Sequence, residues 1–145
     1  MNIWQFQNKL TQRLLWWGAG SMVVGLFLLR GNAFWKAVGW QFVGWGFVDA
    51  LIALFGRASM NQRLEALENP GLPEVHARES ENLRRLLWLN AFLDILYVMG
   101  GKAWADRDRG DGRRAATGLG IALQGLFLLI FDVFHAMECP DETAR

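Results

Sequence analysis

The sequence predicts an all-α fold, an integral membrane four-helix bundle, and three observations predict it. Four apolar runs approach the roughly 17–25 residues that a bilayer-crossing helix needs. They are LLWWGAGSMVVGLFLL, WKAVGWQFVGWGFVDALIALFG, LLWLNAFLDILYVMGG and GLGIALQGLFLLIFDVFHAM. Inner stretches such as VVGLFLL and GLFLLIFDVF are apolar all round, so they lack the polar stripe that a water-soluble bundle turns to solvent. Charge is segregated: 52% of the 145 residues are hydrophobic, yet mean hydropathy is only +0.12, because Lys, Arg, Asp and Glu crowd into residues 57–85 and 102–114.

The elements follow in order. Ile3, Phe6 and Leu10 at helical spacing predict a short interfacial helix before the first span. The polar lead and the bulky Trp16-Trp17 pair argue for a retained span, not a cleaved signal peptide. Spans are expected near 14–29, 37–55, 86–101 and 117–137, within one domain over 1–145. The first and third are short, and Arg13, Arg30, Arg85 and Lys102 at their ends can snorkel. Trp4, Trp35, Trp40 and Trp104 fall where an aromatic belt is expected. Residues 57–85 form a hydrophilic helical connection, broken at Asn69-Pro70-Gly71-Leu72-Pro73. Residues 105–114, ADRDRGDGRR, read as a loop. Its Asp106, Asp108 and Asp111 lack the calcium-loop pattern.

A weak internal repeat suggests two tandem hairpins. RLLW opens both the first and third spans, and Gln41 and Gln124 each precede an aspartate by eight residues. Small-xxx-small pairs (Ser21 and Gly25, Gly46 and Ala50, Gly118 and Ala122) predict close helix approach inside the bundle. Lys and Arg divide almost evenly between the two sides, so they fix no orientation.

Asp49, Asp94 and Asp132 lie inside apolar spans, where an aspartate costs on the order of 2.5–3.5 kcal/mol to insert. No Lys or Arg within a span offsets them. Each must therefore be protonated and hydrogen-bonded, bind a cation, or meet water. Helical spacing puts Asn90 on the face of Asp94, His135 on that of Asp132, and Trp45 one turn before Asp49 with an indole N–H to donate. Gln41 and Gln124 are expected as interhelical hydrogen-bond partners. Asp49, Asp94, Asp132 and His135 are suitable ligand types for a divalent metal, though nothing in their spacing specifies one. No cofactor is called for: His135 is the only histidine in a span, so bis-histidine haem ligation would need a dimer.

The polar punctuation in WGFVDALIALFG, LNAFLDILYVMGG and GIALQGLFLLIFDVFH resembles that of a family of uncharacterised small bacterial four-span membrane proteins. The resemblance implies a four-span fold in a bacterial cell membrane and carries over no site residues.

Two functions fit the residues. The first is a structural or accessory membrane protein whose aspartates lock helix packing. The second is a small cation- or proton-linked transporter or channel using Asp49, Asp94 and Asp132 with His135. An enzyme fits less well: the spans hold one serine, Ser21, in a different span from His135 and near no obvious base. The expected partners are the lipid bilayer and either a second copy or another membrane protein. A net charge of +1 gives no reason to invoke nucleic acid.

Overall fold

The computed structural model describes residues 1–107 and 112–140. Four helices account for almost all of them: α1 (Ile3–Leu28), α2 (Ala33–Ala66), α3 (Pro73–Arg107) and α4 (Gly112–Glu138), and among the described residues there is no strand. Three of the four, α2, α3 and α4, are long and apolar enough to cross a membrane.

Local sequence sets the helix ends. The Asn2 side chain accepts from the Gln5 amide at 2.9 Å while the Gln5 side chain accepts from the Asn2 amide, a capping box. Asn32 caps α2 by accepting from the Trp35 amide. Pro73 occupies the first position of α3, where its missing N–H costs nothing. Extended backbone at Leu67 and the following Asn69-Pro70 end α2.

The helices pack as two antiparallel hairpins. α1 lies along α2 and α3 along α4; α2 and α4 join the hairpins, and α1 barely meets α3. Glycine makes each hairpin close. A Cβ on Gly18 would lie 2.6 Å from the Gly46 carbonyl oxygen, and one on Gly118 2.5 Å from that of Gly101, so backbones touch at both crossings. Between hairpins, Gly120 seats the stem of Gln41. The predicted small pairs therefore serve internal packing, on the partners Gly18, Gly39 and Gly101.

With 34 and 35 residues, α2 and α3 are each about 50 Å long at 1.5 Å per residue. Both run past the apolar spans on the side of the chain termini and build a cap. There Ile3, Trp4, Phe6, Met60 and Cys139 form a buried cluster, with Leu64, Leu67, Val75 and Leu83 packed around it.

The structure corrects three expectations. Residues 3–10 are the first turns of a continuous α1, and Ile3 and Phe6 face the cap core instead of a membrane interface. Trp4 is buried, its indole donating to the Pro70 carbonyl at 3.0 Å; Trp35, Trp40 and Trp104 are exposed. Of residues 105–114, read as a loop, 105–107 belong to α3 and 112–114 to α4, and Ala105 packs against Gly118. Asp108 and Asp111 of the acidic-loop reading lie outside the described residues.

Candidate functional site

Within the spans the centre of the molecule is small and polar. Asp49 is 1% exposed, Asp94 4% and Asp132 8%. The side chains of Asp94 on α3 and Asp132 on α4 lie within interaction distance of one another, and Asp49 on α2 is near enough to both for their charges to interact. The antiparallel pairing explains how Asp94 and Asp132 meet. Helical side chains tilt toward their own N-terminus, so Asp94 leans toward the termini side and Asp132 toward the loop side, each toward the other. Two carboxyls in such a position can bond to one another only through a shared proton.

Acceptors exceed donors in this interior. Asp49 Oδ2, Asp94 Oδ2 and Gln124 Oε1 are buried without a hydrogen-bond partner, and in the same stretch of the bundle the Trp17 indole N–H is a donor buried without one. Trp17 instead stacks flat on Phe127, linking α1 to α4.

The other predicted polar residues divide. Gln124, 1% exposed, donates to Ser21 Oγ at 2.8 Å, and Ser21 donates onward to the Phe42 carbonyl at 3.0 Å, so one chain of bonds ties α4, α1 and α2. Gln41 contributes its aliphatic stem against Gly120, with no hydrogen bond to Gln124. Trp45 packs edge-on against Tyr97 and makes no bond to Asp49. Asn90 is half-buried and lines a cavity with Asp132.

His135 turns away from the carboxyls. Its Nε2 lies 3.0 Å from Arg13 Nη1 and its Nδ1 2.7 Å from the Phe131 carbonyl. Arginine can only donate, so Nε2 accepts and Nδ1 carries the proton: the ring is the neutral Nδ1–H tautomer. Its charged neighbours are Arg13 and Glu138, not Asp132. The shared helical face was legible in the sequence; the arginine 122 residues away that claims the ring was not. Among the described residues, no group of three or more His, Cys, Asp or Glu is arranged to hold a metal ion, which leaves the divalent-metal reading without a site.

A cavity of about 320 Å³ leads to Asp132 and is lined by all four helices. Its polar rim in the cap is Gln7, Ser59, Arg63, Glu79 and Asn82, and its inner end carries Asn90 and Asp132. Between these ends the walls are apolar. Ile52 on α2 and Leu86 on α3 line the cavity and are both exposed, so it is open on the side where these two helices carry them. At the rim Arg63 donates to Gln7 Oε1 at 3.1 Å, and its Nε lies 3.2 Å from Glu79 Oε2 without being aimed at it. Glu79 is buried and Arg63 half-exposed. Sequence reasoning misses these rim residues, because their charges look like any solvated helix face; the only clue is that Glu79 sits beside Ser80 and one turn before Leu83 on the packed face of α3.

The model of a family of unknown function (DUF6992) matches residues 13–133, which takes in α2 and α3 whole, the larger part of α1 and α4, and the three aspartates. No curated protein and no solved structure matches the chain.

Proposed function

The chain belongs to this DUF6992 family of unknown function, and from that premise we propose that it is a small proton-linked membrane protein, a transporter or channel whose exchangeable proton sits on the Asp94–Asp132 pair. The observation that carries the reading is the cavity that runs from the polar cap to Asp132. An intramembrane carboxyl without a basic partner is a functional suspect by default, and one reached from the aqueous side can exchange its proton. Asp49 adds a third buried carboxyl beside the pair. On the opposite side of the pair lie the Gln124–Ser21 bond and the glycine crossings, where helix backbones touch. Access from one face at a time is what a coupled carrier needs, and this packing is what would have to part for the other face to open.

α1 fits as a fourth span. It runs against α2 from Gly18 at Gly46 to Gly25 at Gly39, so whatever phase surrounds α2 there surrounds α1 as well. The long lipid-type surface and the family resemblance favour a bacterial cell membrane as its setting.

A second reading is a structural or accessory protein in which the carboxyls fix packing. The meeting of Asp94 and Asp132 between two helices supports it. Against it, that contact joins α3 to α4, which glycine contacts already hold together. The unpartnered oxygens of Asp49 and Asp94 also cost stability that glue would not leave unspent.

Proteoliposomes carrying an internal pH dye separate the two. A proton-linked protein dissipates an imposed pH gradient, and Asp132→Asn abolishes the flux while the purified variant keeps its elution profile and thermal transition. No flux from wild type, with Asp132→Asn equally or more stable, sinks the reading in favour of packing.

A further inference from the structure

The same cavity points to a ligand, and this inference rests on the proton-linked reading. The geometry points to an amphipathic organic cation, an ammonium with an apolar body, as the molecule that the cavity binds in exchange for a proton. Three features set the class. The first is size and wall chemistry: about 320 Å³ is in the range of small-molecule sites, and the walls between the ends are the apolar side chains of Leu10, Leu14, Ile52, Leu86, Leu87 and Phe131. A bare inorganic cation needs several converging ligands instead, and among the described residues no group of three or more His, Cys, Asp or Glu is arranged to hold one.

Charge is the second feature. The groups facing Asp132 from every neighbouring helix are acidic or neutral. α2 supplies Asp49 and α3 Asp94; α1 lines the cavity with Gln7, Leu10, Thr11 and Leu14, none of them charged. The two charges at the rim, Arg63 and Glu79, lie 3.2 Å apart and offset one another. The inner end is therefore where a cation is favoured, and Asn90 beside Asp132 adds a neutral polar group to orient it.

Access is the third. The open side lies partly in the polar cap and partly at exposed Ile52 and Leu86. An amphipath held at a membrane interface can enter there body first or head first without crossing a dry barrier. Proton and ammonium compete for one carboxyl, so each displaces the other.

The test uses the full chain purified in detergent, with benzyltrimethylammonium as a permanently charged probe and neopentylbenzene as its neutral carbon isostere. Calorimetric titration should give saturable binding of the ammonium that weakens as the pH is lowered. The neutral isostere should bind at least about tenfold more weakly, since it forfeits a desolvated charge pair. Ile52→Trp, which narrows the opening, should reduce ammonium binding by a similar factor, and Asp132→Asn should remove it. Should Asp132→Asn fail to fold, the ammonium and isostere compared on wild type still decide. Equal binding of the two, or no ammonium binding, overturns the inference. If proteoliposome flux persists in that case, the proton-linked reading survives without this substrate class; if flux is also absent, both fall.

Discussion

At the termini end of the molecule, Ile3, Trp4, Phe6 and Met60 fill the space between helices. In the spans the same position is filled by Gly18, Ser21, Gly46, Gln124 and three carboxyls, while Phe27, Phe55, Leu96 and Ile130 point outward. The cap is packed as a protein in water is, by removing large apolar side chains from solvent. In the membrane setting proposed for the spans that force is absent, because lipid is as apolar as leucine; what holds them is backbone contact at glycine and hydrogen bonds between helices. The cavity lies where the two regimes meet, lined by Ile52, Leu86 and Leu87 from α2 and α3 toward the cap and by Asn90 and Asp132 at its inner end.

The contrast can be broken or sharpened by substitution, with stability followed as thermal unfolding in detergent. Phe6→Ala should have the largest effect, about 3–5 kcal/mol, since Phe6 is only 2% exposed in the cap core. Gly46→Val comes next, at about 1–3 kcal/mol or more. Its Cβ would sit 2.6 Å from the Gly18 carbonyl oxygen, and backbone cannot yield as a side chain does. If Gly46→Val is silent, glycine contact is not what holds the first hairpin. Gln124→Leu should cost under about 1 kcal/mol, because it removes an unpartnered oxygen along with the bond to Ser21. Phe55→Leu, at a residue 71% exposed, should stay within about 0.5 kcal/mol. A large loss there would mean that another chain covers that face.

Much of this contrast is legible in the amino-acid sequence. Helix number, the break at Asn69-Pro70, the small pairs and the burial of Asp49, Asp94 and Asp132 all follow from periodicity and the cost of a carboxylate in lipid. Three things do not follow. Ile3 and Phe6 look alike whether they face a bilayer or a core, because an amphipathic face does not name its partner. His135 shares a face with Asp132, but Arg13, on a helix far away in sequence, decides where its ring points. The cavity is built by side chains from all four helices, and which residues of four separate helices meet around one space is not written in the periodicity of any one of them.

Access to Asp132 from the termini side is the claim on which the functional reading stands, and thiol labelling tests it most directly. The chain has a single cysteine, Cys139, so Cys139→Ser supplies the background. Asn90→Cys lines the cavity, whereas Val38→Cys lies in the close packing near the opposite end. With a membrane-impermeant thiol reagent applied to each face of proteoliposomes, the account predicts that Asn90→Cys reacts from the termini side only and that Val38→Cys reacts from neither. An unreactive Asn90→Cys, or one labelled from the loop side, would contradict it.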